Sequence, residues 1–130
     1  MSRPQYHYAS GQELPAIQIN WAQRDTDGGT SALALSTSYS SPTVVVKLRD
    51  TGDTLLTKSA DITLADTYPN LVISWTAADM TSIRAAIVTA LGAVSDNGDV
   101  CSLTITARRT ADSLDAVFSP KDLPTIEILP

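Results

Sequence analysis

Apolar and polar residues alternate in short runs along most of this chain, which is the period of a strand with one buried face. Ile17, Ile19 and Trp21 alternate with Gln18, Asn20 and Ala22, and Leu33 and Leu35 alternate with Ala34 and Ser36. Val44, Val46 and Leu48 form the clearest stripe. The turn Asp50-Thr51-Gly52-Asp53 follows it and Leu55 begins the return, so this pair predicts a hairpin. Ile62 with Leu64, and Leu71, Ile73 and Trp75, predict two more strands. The stripe Cys101, Leu103, Ile105, Ala107 is the longest, and short strands are expected at Val117–Phe118 and at Ile126–Ile128. Turn residues punctuate these runs at Asp25–Thr30, Ser38–Pro42, Asp96–Asp99 and Pro120–Pro124.

The period changes once. Met80, Ile83, Ile87 and Leu91 fall at helical spacing, with Thr76 placed as N-cap, Asp79 at the third helical position and Gly92 just past the last apolar residue. One helix over Ala77–Leu91 is predicted. The sum is about eight short strands and one helix, the pattern of an antiparallel β-sandwich rather than a doubly wound α/β fold. Residues 1–13 lack a stripe and read as an irregular N-terminal arm, leaving 14–130 as a single sandwich domain. Trp21 and Trp75 each end an apolar stripe and are expected to anchor the core.

Composition narrows the function classes. A chain of 130 residues holds one domain and buries its own core without disulfides. Its net charge of −5 and pI near 4.5 argue against a phosphate-backbone binder. The basic pairs Lys47 with Arg49 and Arg108 with Arg109 are too small to reverse that. Charged residues make up only 18%, as suits a surface rich in Ser and Thr or one covered by neighbours. The lone Cys101 lies in a strand pattern and reads as a small buried hydrophobe. No run approaches a membrane span, and residues 1–11 do not have the composition of a signal peptide, so synthesis in a cytoplasm with no membrane partner is expected.

The chemical inventory is thin. The single histidine, His7, lies in the arm, where a general base would be poorly held. The acids Asp25, Asp27, Asp50, Asp53, Asp96 and Asp99 sit in turns, where aspartate side chains cap local amides. Asp25-Thr26-Asp27-Gly28 begins like a calcium loop but lacks the third oxygen ligand and the later Glu. One Cys and one His do not make a zinc site, and Gly28-Gly29 has no phosphate-loop context. No catalytic, cofactor-binding or metal-binding residue is therefore expected, and the chain reads as a binding or structural protein rather than an enzyme. The residues expected to touch a partner are Tyr6, His7 and Tyr8 in the arm and Pro130 in the proline-flanked tail; tyrosine is large, rigid and amphipathic.

Two segments carry a resemblance. Val44-Val45-Val46-Lys47-Leu48-Arg49-Asp50 followed by Gly52, and then Leu71-Val72-Ile73-Ser74-Trp75-Thr76-Ala77-Ala78-Asp79, resemble the N-terminal domain of phage baseplate upper proteins. That resemblance implies an immunoglobulin-like sandwich in a virion, attaching to other virion proteins in many symmetric copies at a baseplate, tail or neck. The Ala77–Leu91 helix stands where that family turns directly into the next strand. A capsid decoration protein is the alternative position, and a carbohydrate- or cell-surface-binding module is the alternative of another class.

Overall fold

The apolar stripes become strands wherever a partner strand meets them. A computed structural model describes residues 5–118 and 123–130. Among the described residues there are eleven strands: β1 Gln5–Tyr8, β2 Ile17–Ile19, β3 Ala22–Arg24, β4 Thr30–Ala32, β5 Tyr39–Leu48, β6 Thr54–Lys58, β7 Ile62–Leu64, β8 Leu71–Ile73, β9 Asp99–Arg109, β10 Asp115–Phe118 and β11 Thr125–Ile128. Two helices accompany them, the single turn α1 Leu35–Ser38 and the longer α2 Ala77–Leu91. The chain is mainly β, as expected.

The largest sheet runs β1-β11-β9-β5-β6, with β10 pairing the far end of β9. A second sheet runs β2-β8-β7, and β3 with β4 forms a separate hairpin. All pairings are antiparallel except β1 on β11. The inner face of the large sheet is its apolar stripe: Val44, Val46, Leu103, Ile105 and Ile126 are fully buried. Ile17 of β2 and Leu71 and Ile73 of β8 join the same core. Met80, Ile83 and Ile87 of α2 close it. This is the layering of a β-sandwich with one inserted helix, and a Leu or Ile buried in such a core contributes about 1.5–3 kcal/mol.

The helix forms where its spacing predicted and for the predicted reasons. The Thr76 hydroxyl accepts the Asp79 N–H at 3.1 Å, and the Asp79 carboxylate accepts the Thr76 N–H at 2.9 Å, completing a capping box. Gly92 ends the helix at φ 88°, a left-handed conformation that costs glycine little. Gly98 is the tightest turn residue. A Cβ there would lie 2.8 Å from the Glu127 side chain, so the turn into β9 needs the bare backbone.

Several local expectations change. Residues 1–13 are not simply an irregular arm: Gln5–Tyr8 is strand β1, hydrogen-bonded into the large sheet, because β11 supplies a partner 120 positions away for a stretch too short to show a stripe of its own. Leu33 and Leu35 do not share a strand, since the chain turns into α1 at Leu35. Ser38–Pro42 is not a loop. Tyr39 already pairs with Arg109, and Ser41 takes a positive φ of 53° where the register shifts between Ser40 and Thr43. The stripe from Ile17 to Ala22 breaks after Ile19, and the strand expected through Trp75 ends at Ile73. The break expected at Pro120–Pro124 lies largely outside the described residues. Trp75 is a core anchor at 6% exposure, whereas Trp21 is only partly buried and packs 4.8 Å from Phe118.

Cys101 is fully buried, and burial, aided by the nearby Asp99 charge, pushes its thiol up to about 12. The native protein is therefore expected to resist an aromatic disulfide reagent at neutral pH and to label one thiol once denaturant unfolds it. Prompt labelling of the native chain would mean that β9 opens far more readily than a central strand should.

Candidate partner-binding edge

The four residues expected to meet a partner come together at one corner of the large sheet. In β1, Tyr6 lies beside Ile126, His7 beside Glu127 and Tyr8 beside Ile128. The Leu129 N–H then donates to Tyr8 O at 2.9 Å, which brings the C-terminal residues alongside the N-terminal strand. The parallel pairing turns Tyr6 and Tyr8 to the core side and His7 to the outer side.

Tyr8 does not fit its expected role. Its side chain is fully buried, and its hydroxyl donates to Pro15 O at 2.8 Å. Burial pushes this phenol up to about 12, and its ring meets Trp75 edge-on at 6.2 Å. It is a core residue, because period-two alternation in β1 sends it inward. Tyr6 is partly buried against the same core. His7 is exposed, with its Nδ1 3.0 Å from Glu127 Oε1, and Pro130 is exposed. Of the four, His7 and Pro130 keep a surface that a partner could meet.

The backbone adds what the side chains do not. Among the described residues, β1 is the last strand of its sheet and pairs only with β11. Its Tyr8 carbonyl is taken by Leu129 and by Arg84 Nη2 at 3.1 Å. Strand alternation therefore turns the His7 N–H and C=O to the open side, where they are free to accept an added strand. A further open edge is β10, where Val117 is 63% exposed and Leu114, just before the strand, 58%. Sequence reasoning placed a strand there but gave it no role. The signal was present in the alternation around Val117, which marks an apolar side chain on the solvent side.

The turn acids are locally occupied. Asp27 accepts from Gly29 N, Asp53 from Thr51, and Asp112 from Leu114 N. A recess of about 250 Å³ near the β5–β6 turn does hold two acids, Asp50 and Asp99. Asp99 is buried with one oxygen on Ser95 N and the other on Ser95 Oγ, each at 2.8 Å, and the Asp50 side chain is 94% exposed. Asp99 thus caps its own turn, while Asp50 points to solvent. Among the described residues, no group of three or more His, Cys, Asp or Glu is gathered to hold a metal, and no helix is long and apolar enough to cross a membrane.

No family model, curated protein or solved structure matches this chain.

Proposed function

We propose that this protein is an immunoglobulin-like adaptor of a bacteriophage virion, holding other virion proteins through the open edge of β1 rather than catalysing a reaction. The observation that carries the reading is the strand order. The sheet order β11-β9-β5-β6, with β2-β8-β7 as a second sheet, supports this reading, because a variable-type immunoglobulin sandwich orders its strands G-F-C-C′ and B-E-D. The parallel β1 then occupies the sheet margin, the position open to strand addition. The resemblance of Val44–Asp50 and Leu71–Asp79 to baseplate upper proteins supports the same placement. Many copies in a symmetric assembly are the natural consequence.

The test uses a substitution that spares the backbone bonds to β11, at the cost of the exposed His7–Glu127 contact. His7→Pro removes an N–H that β11 does not use, a change sheet edges tolerate. The variant is expected to melt close to wild type and to be depleted at least about tenfold from purified particles, the effect of losing roughly 1.4 kcal/mol or more of binding. Gold labelling of wild-type particles would sort tail, neck or baseplate from a capsid decoration position. Absence of the protein from particles, or wild-type incorporation of His7→Pro, would overturn the proposal.

A further inference from the structure

A buried lysine needs a reason, and Lys58 has an unusual set of neighbours. It ends β6 with its side chain 5% exposed, and its Nζ donates to Asp79 Oδ2 and to Ser74 O, both at 2.6 Å. A second carboxylate, Asp61, lies 3.9 Å from the same nitrogen and is 49% exposed. The Trp75 ring closes another side, 5.1 Å from Nζ to its centroid. An amine and a carboxyl group thus meet in a largely buried site, with a second proton-transfer group, Asp61, at its exposed margin. They are supplied by the end of β6, the first turn of α2 and the bend before β7. An ion pair so placed is weak evidence of stabilisation, since two apolar residues would serve as well or better.

We infer that Lys58 and Asp79 join in an intramolecular amide bond, made by the folded protein with no added reagent. The resting pair is ionic. Partial burial raises the Asp79 pKa, but hydrogen bonds from Lys58 and the Thr76 N–H and the Lys58 charge outweigh it and hold the group below its ordinary 3.8. Closure therefore begins with proton transfer from the ammonium to the carboxylate. The freed nitrogen lone pair attacks Cγ, an N–C bond forms, one C–O bond breaks, and the oxygen leaves as water. Ammonium plus carboxylate gives amide plus water, so nothing is oxidised or reduced. The Asp61 carboxylate takes the second nitrogen proton and returns it to the departing oxygen.

Proximity favours closure. A nitrogen hydrogen-bonded to a carboxyl oxygen lies at about the 3–3.5 Å near-attack distance from its carbon, and such positioning is equivalent to roughly 10⁵–10⁸ M of reactant. That positioning speeds a condensation that is very slow between free partners.

Intact-mass spectrometry of the denatured full chain decides the matter. The expected mass is that of the sequence less one water, and proteolysis is expected to yield one branched species joining the Lys58 and Asp79 peptides. Lys58→Arg and Asp79→Ala are expected to retain the full sequence mass, and Asp61→Asn to close roughly 100-fold more slowly, as loss of a general acid–base group does. If either partner variant fails to fold, the wild-type mass still gives the answer. Full sequence mass after a week's incubation of the folded wild-type protein, or a bond from Lys58 to any residue other than Asp79, would overturn the inference.

Discussion

Compared with the protein before the amide closes, Asp79→Ala is expected to be less stable by about 3–5 kcal/mol, the cost of removing one member of a buried ion pair. The effect is large because Asp79 does two jobs at once. Its Oδ2 accepts the Thr76 N–H at 2.9 Å and so caps α2, and the same oxygen faces Lys58 Nζ at 2.6 Å. Removing it uncaps the helix, which alone costs about 1 kcal/mol, and strands a lysine whose side chain is 5% exposed. Asp61 is nearest to compensate, but at 3.9 Å and half-exposed it is a poor substitute. Since a domain is worth about 5–15 kcal/mol, such a loss brings the fold near its threshold.

A second variant separates the stranded charge from the lost cap. Lys58→Met in the Asp79→Ala background replaces the ammonium with a flexible apolar side chain of similar length that can lie against Trp75. Neither variant can form an amide between these positions, so their comparison measures the unpaired charge alone. The double variant is expected to recover about 2 kcal/mol or more in denaturant titration. A double variant no more stable than Asp79→Ala would show that Lys58 reaches water when unpaired and that the buried charge is not what matters.

How much of this was legible in the sequence depends on the range over which each element is determined. The α2 helix carries all of its information within itself: the spacing Met80, Ile83, Ile87, the cap at Thr76 and the stop at Gly92. The β5–β6 hairpin is nearly as local, since one turn joins two stripes. β1 is the opposite case. Gln5–Tyr8 is a strand only because β11 lies beside it, and four residues hold too little pattern to announce that pairing. The start of β5 was obscured by Ser40, Ser41 and Pro42, which look like a loop. The structure keeps the strand by placing the irregularity there and giving Ser41 its positive φ.

The candidate edge was legible in position but not in kind. Tyr6–Tyr8 and Pro130 do meet at one corner, yet Tyr8 faces the core, and what remains open is backbone, which no side-chain pattern reports. Lys58 gave no signal at all. Between Thr57 and Ser59 it looks like an ordinary polar strand end, and only the arrival of α2 across β6 buries it.

Asn70→Ala is the other substitution expected to cost heavily, by about 3–5 kcal/mol, although no apolar contact of note is lost. Asn70 is fully buried in the connection between β7 and β8. Its Nδ2 donates to Trp21 O at 2.7 Å and Leu33 O at 2.8 Å, and its Oδ1 accepts Trp21 N at 2.7 Å. One amide thus ties both roots of the β3–β4 hairpin to the second sheet, where Leu33 N also meets Trp21 O at 2.9 Å. Alanine leaves Trp21 N and Leu33 O without this partner in a partly buried place, at about 1–3 kcal/mol for each group left unmet. Asn70→Asp keeps the acceptor for Trp21 N but sets a carboxylate against two carbonyl oxygens, so it is expected to do no better than alanine. Amide hydrogen exchange gives the local readout: Trp21 N–H should lose protection in both variants, while Leu103 in the centre of β9 falls only as far as global stability does. An alanine variant within about 1 kcal/mol of wild type would show that water satisfies these groups and that the hairpin is held by something else. The consequence reaches the surface, because Trp21 packs against Phe118 and Phe118 against Tyr39 at 5.6 Å. Loosening the hairpin root therefore loosens the inner support of β10, whose outer side is also open, so a single buried asparagine also governs how firmly that edge is presented.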